Sequence, residues 1–398
     1  MNMRSNVVKY YAFKFFSFLF FFNPVFVVFL QENGLSMTQV LALQSVFSIV
    51  IVFLEIPTGA VGDYFGRKTS IATGAFLFSL CMFIYSAGST FWVFLAAELI
   101  GGVGIALISG SDSALIYATL KQDGRESEYA RIEGNATAWM QTGILAASIL
   151  GGIIGNFSTR MTLAASGVSS LAACAISLSI KEPQTGTESR PRDSYRTIIV
   201  RSLVIVREHR LVLWIFFYVS LVGSIILLCQ WFYQPFFMKV GVGLVHFGWI
   251  YTALGIVSII ASKMTGSIEK SLGSVGSLAF LAVIMIVCYL GIGSFSSKYA
   301  ILFFSLHQIY LGTARTILGH RVLSVVPEDK SATILSIAHL GNRFFYAAAG
   351  PLFGYLVDSV DLSFSLVCLG GCLAVITIGL FAAYRRVPEH FRRQRNHV

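Results

Sequence analysis

The feature that most constrains this chain is a succession of twelve apolar segments separated by short polar turns, each of about the 20 residues that a membrane-spanning helix requires. They run over 10–31, 38–58, 69–87, 91–117, 132–155, 161–180, 211–233, 244–264, 274–294, 299–320, 332–356 and 363–383. A soluble protein of 398 residues cannot bury that much apolar surface, with 56% of its residues hydrophobic, 12% charged and a mean hydropathy of +0.74. Within a bilayer each backbone polar group must find its partner inside the protein, so the expected fold class is an all-α membrane protein of twelve transmembrane helices. At the first segment Arg4, Lys9 and Lys14 come ahead of the most apolar run and there is no small-residue cleavage site, which reads as a retained helix and not a signal peptide.

The formal charge is +10, and its distribution points to membrane topology rather than to nucleic acid. With the N-terminus inside, alternate turns carry Arg67 and Lys68, Lys121 and Arg125, the run from Lys181 to Arg210, Lys270, Lys330 and the tail from Arg385 to Arg395. The opposite side holds only Arg160, Lys239 and Lys298. By the positive-inside rule both termini are cytoplasmic, in a multi-pass protein of the cytoplasmic (inner) membrane. No basic soluble domain is left to bind nucleic acid. The six cysteines all fall in apolar segments; Cys368 and Cys372 lie one helical turn apart without a third or fourth ligand near in sequence, so neither a metal nor an organic cofactor is expected.

Between the second and third segments lies Glu55-Ile-Pro-Thr-Gly59-Ala-Val-Gly62-Asp63-Tyr-Phe-Gly66-Arg67-Lys68. Its glycines allow two helix ends to approach closely, Asp63 is placed to sit near a helix N-terminus, and Arg67 and Lys68 hold the turn on the cytoplasmic side. These residues resemble the G-x-x-x-D-x-x-G-R-K loop of the major facilitator superfamily. Gly59, Asp63, Gly66, Arg67 and Lys68 match, and Tyr64 replaces the basic residue usual after the aspartate. The fifth segment, Gly143-x-x-x-Ala147-Ser148-x-x-Gly151-Gly152, is similar to that superfamily's antiporter motif with its central Gly-Pro replaced by Ala-Ser. The eleventh segment keeps a Gly350-Pro351 pair. The resemblance implies a secondary transporter of the drug- and metabolite-exporting branch, in which two six-helix bundles rock about a central small-molecule site and the loop acts as a cytoplasmic latch.

An offset of 207 residues places Gly34 on Gly241, Thr58-Gly59 on Thr265-Gly266, and Gly66 on Gly273. That indicates an internal duplication: an N-terminal six-helix bundle at 1–180, a cytoplasmic linker at 181–210, a C-terminal bundle at 211–383 and a basic tail at 384–398. Transporters with parallel repeats bind substrate near mid-bilayer at the repeat interface.

Charged groups within a span are functional candidates, because burying them in a bilayer is costly. Glu98 and Asp112 lie on one face of the fourth segment with Gly101, Gly102 and Ser109, a stripe suited to line a cavity. Both are candidates for proton coupling, with a structural ion pair as the rival reading of Glu98 and anchoring of the local loop as that of Asp112. At Glu98 the family resemblance implies an arginine, so no family role carries over. Substrate-cavity candidates are Asn23, Arg315, His339, Asn342, Arg343 and Tyr346; for each arginine an internal ion pair is favoured over substrate contact. Pro24, Gly151, Gly152, Gly350 and Pro351 are expected where helices bend. The early phenylalanines, from Phe13 to Phe22, are expected mostly to face lipid, and Trp92, Trp231 and Tyr233 to form an interfacial belt.

The resulting expectation is a monomeric secondary transporter in a lipid bilayer, exporting a drug-like or metabolite substrate in exchange for protons, and not an enzyme. A proton-linked importer of a small anionic nutrient is the rival within transport, favoured by Arg315 and Arg343. A non-transporting membrane sensor is the rival outside it. Against an enzyme, the chain has no H-E-x-x-H, G-x-S-x-G or Walker loop.

Overall fold

The computed structural model describes residues 4–183, 210–323 and 328–385. Most of the expected linker and nearly all of the tail lie outside these residues, as do the side chains of Gly59, Asp63 and Ser336. Among the described residues the chain is helical throughout, with no strand.

The first span is broken. Helix α1 (Arg4–Ser17) ends before the run Phe18–Phe22, a 3₁₀ turn follows at Asn23–Val25, and α2 (Phe26–Glu32) completes the crossing. Pro24 has no N–H to donate, and the backbone groups freed by the break are met from outside. Ser166 Oγ accepts from Phe22 N at 3.4 Å, and Ser169 Oγ donates to Leu19 O at 3.2 Å. A side chain at Gly151 would collide with Phe21 O, so that glycine lets the neighbouring helix lie against the break. The aromatic run is more buried than expected: Phe13 is buried, and Phe15, Phe16, Phe18, Phe20, Phe21 and Phe22 are all partly buried. Their rings pack on one another and on the helices around them, as in Phe20 with Phe78 and Phe15 with Trp139.

Helices α3 (Met37–Phe65) and α4 (Arg67–Ala87) are joined by the single residue Gly66, at φ 93°. The fourth span is two helices, α5 (Phe91–Ile108) and α6 (Ser111–Gln122), divided at Gly110 with φ 76°. Next come α7 (Tyr129–Phe157) and α8 (Thr159–Ser179). The seventh span consists of α9 (Arg210–Phe217), a π-helical turn at Tyr218–Val222, and α10 (Gly223–Lys239). The helical stretch α11 (Leu244–Ser294) holds the eighth and ninth segments, which meet at Gly273 with φ 67° and ψ 170°. The chain ends with α12 (Phe304–Leu323), α13 (Glu328–Ser359) and α14 (Leu362–Arg385).

Eight of these helices or helix pairs are long and apolar enough to cross a membrane by length and composition, and α11 contains two of the expected segments. The first segment falls short because it is broken. The tenth and eleventh fall short because polar residues such as Gln308, Arg315, His339 and Arg343 dilute their apolar character. The residues paired by the 207-residue offset share a backbone state: Gly34 and Gly241 have φ of 82° and 70°, and Gly66 and Gly273 have 93° and 67°.

Two compact units divide the chain. One comprises Met1–Leu35, Leu43–Arg192 and Gly243–Thr252; the other comprises Ser36–Ala42, Asp193–Val242 and Ala253–Val398. Gly152 accounts for the last stretch of the first unit, since its missing side chain leaves room for the backbone of Gly248 at 2.7 Å from where a Cβ would stand. Asp358 accounts for the first stretch of the second, because its carboxylate accepts from Met37 N and Thr38 N at 2.8 Å each and so caps the start of α3.

Candidate functional site

Glu98 lies two turns into α5, on a helix held close to its neighbours by glycine. A Cβ at Gly101 would stand 2.7 Å from Cys81 Sγ, at Gly102 2.7 Å from Val50 Cγ1, and at Gly104 2.7 Å from Gly74 O. The glycine stripe therefore packs against α3 and α4 and does not line a cavity, contrary to the expectation from spacing. This close approach brings Gln44 of α3 and Tyr85 of α4 to the carboxylate. Gln44 Nε2 donates to Glu98 Oε1 at 2.5 Å, and Tyr85 Oη donates to the same oxygen at 2.6 Å. Aromatic rings cover the site: Tyr85 stacks on Phe94 at 5.1 Å, and Phe26 and Phe29 meet Tyr85 edge-on. Glu98 is 4% exposed. Among the described residues no cation bonds it, and no donor reaches Oε2. The ion pair weighed as its rival role is therefore not formed there.

Arg160 is held on neutral partners instead, donating to Ser86 O, Gly88 O, Asn33 Oδ1 and Ser89 Oγ, with Phe29 beneath its guanidinium at 5.6 Å. It ties the turn after α4 to the start of α8.

Asp112 has a different environment. It lies in the first turn of α6, where Lys14 Nζ reaches Oδ2 at 2.5 Å and Ser113 N donates to Oδ1 at 2.7 Å. Glu133 beside it accepts from Tyr10 Oη at 2.9 Å and Ser113 Oγ at 3.3 Å. This cluster joins α1, α6 and α7 through charge and hydroxyl pairs.

At the glycine-spaced loop, α4 begins with its two leading N–H groups on one carboxylate. Arg67 N and Lys68 N donate to Glu182 Oε1 and Oε2 at 2.9 and 2.8 Å. Arg67 Nη1 also donates to Ala114 O at 2.7 Å, so the arginine side chain reaches α6.

In the second unit, Arg315 is exposed at the middle of α12 and Arg343 is half-buried in α13. The internal ion pair expected for each is not formed among the described residues, where neither makes a hydrogen bond or ion pair. His339 is exposed, and Tyr346 is buried at 3%. Asn342 packs against Gly223, where any side chain would collide with its amide, and so lies on the interface between α13 and the seventh span. Ser220, within the π turn, donates to Ala338 O on the same interface. Asn23 is exposed beside the break in the first span. Tyr233 is not interfacial as expected; it is buried, with Oη 2.8 Å from His307 Nδ1 and accepting from Gln308 Nε2 at 3.2 Å. Gly151 and Gly152 lie inside α7 and are points of close approach to Phe21 and Gly248, while Gly350 and Pro351 lie inside α13.

Gln44, Tyr85, Lys14, Glu133 and Glu182 were not singled out by the sequence reading. The available signals were a polar Gln44 inside an otherwise apolar run and the charges of Lys14 and Glu133 within the first and fifth segments; Tyr85 and Glu182 look ordinary until the fold brings them to their partners.

The comparisons with known proteins agree with this architecture. The family model described as Major Facilitator Superfamily matches residues 11–344. The quinolone resistance protein NorA of Staphylococcus aureus is 25% identical over 167 residues, 42% of this chain and 42% of that protein. Multidrug resistance protein 2 of Bacillus subtilis is 28% identical over 176 residues, 44% of this chain and 42% of that protein. The similarity thus spans about two fifths of the length of these curated relatives. Among solved structures, the nucleoside transporter NupG superposes with a TM-score of 0.83 at 15% identity, over 97% of this chain and 100% of that one. A bacterial homologue of the lysosomal transporter Spinster gives 0.74 at 16% identity, over 97% and 98%. On the match across most of its length, this chain belongs to the Major Facilitator Superfamily.

Proposed function

We propose that this protein is a secondary active transporter of the cytoplasmic membrane that exports a small drug-like or metabolite molecule by alternating access in exchange for protons, with Glu98 as the group that takes up and releases the proton. One observation carries the reading: Glu98 is buried, both of its hydrogen bonds come from neutral donors to Oε1, and no cation among the described residues balances it. Protonation at Oε2 therefore changes the charge of the site from −1 to 0 without breaking an ion pair. A proton shifts an equilibrium between two states only by its differential affinity for them, and an uncompensated carboxylate supplies such a difference wherever its surroundings change. Asp112, already neutralised by Lys14, is better suited to holding α1 and α6 together. The export direction is supported by the two relatives whose names record quinolone and multidrug resistance.

The test separates exchange from coupling. In proteoliposomes, Glu98→Gln should retain substrate counterflow, which needs no net proton movement, and lose accumulation driven by a pH gradient. A variant that accumulates substrate under the gradient like the wild type would remove Glu98 from the coupling.

A further inference from the structure

The second unit contains an electrostatic imbalance that proton coupling at Glu98 does not use. Arg315 is the twelfth residue of α12, roughly 16 Å along the axis at about 1.5 Å per residue, and so near the middle of a span. It is exposed, and among the described residues it makes neither a hydrogen bond nor an ion pair. Arg343, half-buried on the adjoining helix α13, is equally without a partner there. Three acids of this unit whose side chains are described are engaged elsewhere. Glu269 bonds His320 at 2.8 Å, Asp358 caps Met37 and Thr38, and Asp361 pairs with Lys239 at 3.0 Å.

A guanidinium remains charged, so an exposed and unpaired one at mid-span is tolerable only where it meets water rather than lipid. Arg315 shares its helical face with Leu311 and Gln308, at i−4 and i−7. Gln308 in turn holds Tyr233 Oη, whose other partner is His307. The face thus presents a fixed cation, an apolar step and a side-chain amide already positioned by a buried tyrosine.

We infer that Arg315 is the recognition point for a carboxylate on the transported molecule, so that the substrates are organic anions or zwitterions with an apolar body, and that Arg343 adds positive potential to the same unit. The inference rests on the transport reading and narrows its substrate. A guanidinium offers two parallel N–H donors to a carboxylate, and both partners are charged. The methyl ester of the same acid keeps its shape and loses the charge, which provides a clean comparison.

The experiment is equilibrium binding to the purified full chain in detergent, with phenylbutyrate and naphthaleneacetate each compared with its methyl ester. The wild type should bind the acids at least about tenfold more tightly than the esters, the scale of a charge-assisted pair. Arg315→Gln should abolish that preference and leave ester binding unchanged, while Arg315→Lys should retain part of it. Thermal midpoints of the variants confirm that they are folded. Equal binding of acid and ester by the wild type, no binding of either acid, or a preference that survives in folded Arg315→Gln would each overturn the assignment. Because binding needs no gradient, a preserved acid preference with no flux in vesicles would count against the transport reading and leave the carboxylate site standing.

Discussion

Lys14 and Asp112 are 98 positions apart in sequence, yet their side chains are 2.5 Å apart and only 12% and 11% exposed. Removing one member of a largely buried pair leaves the other charge uncompensated, so Lys14→Met should destabilise the protein by about 3 kcal/mol. Adding Asp112→Asn should recover much of that loss, which thermal unfolding of the single and double variants in detergent would measure. Lys239 and Asp361 form the contrasting case, with side chains 30% and 47% exposed. Partial burial pushes the Asp361 carboxyl up, but the Lys239 ammonium and the N–H groups of Ser363 and Leu362 outweigh it and leave the group below the ordinary carboxylate range. A carboxylate lowered on folding contributes stability that is present above its unfolded pKa, about 3.9, and lost as pH falls through the folded value. Unfolding compared in wild type and Asp361→Asn should therefore differ by a constant amount between pH 5 and 8, of about 0.5 kcal/mol as for other exposed pairs.

The helices of the first unit lie close together because glycines stand where they touch. Gly74 and Gly104 face each other across α4 and α5, and a Cβ at Gly74 would stand 2.6 Å from Gly104 O. Gly74→Ala should force the pair apart at a cost of about 1–3 kcal/mol, and Gly74→Leu should cost more. If α5 moves, Gln44 and Tyr85 lose their aim at Glu98, so coupled flux should fall further than stability alone accounts for. The turns obey a second rule. Gly66 and Gly273 occupy backbone conformations that residues with a Cβ adopt only under strain, and each joins two helices with almost no connecting chain. Gly66→Ala and Gly273→Ala should each cost about 1–3 kcal/mol in thermal unfolding. A cost confined to one of them would show that the duplicated turns are not equivalent.

For the whole molecule, the features set by length, composition and local dihedrals were legible in the sequence. Apolar runs long enough to span led to the helical fold, and Gly34 and Gly241, paired by the 207-residue offset, both have positive φ. The partners in the candidate sites were not legible, because they come from contacts distant in sequence. Gln44 lies 54 positions from Glu98, and Glu182 lies 115 from Arg67. Spacing on one helix suggested that Glu98 and Asp112 share a surface, but Gly110 turns the chain between them and gives the two acids separate neighbours. Tyr233 was misplaced for a related reason, since an aromatic near a span end looks interfacial until His307 is found beside it.

Coupling of transport to protonation of Glu98 requires that protons move with the compound. The most direct measurement is proton movement into proteoliposomes on addition of a transported compound, followed by an internal pH dye for wild type and Glu98→Gln. Compound-dependent proton flux is expected in the wild type and none in the variant, with compound exchange intact in both. Equal proton flux in the two proteins would exclude Glu98 as the coupling group.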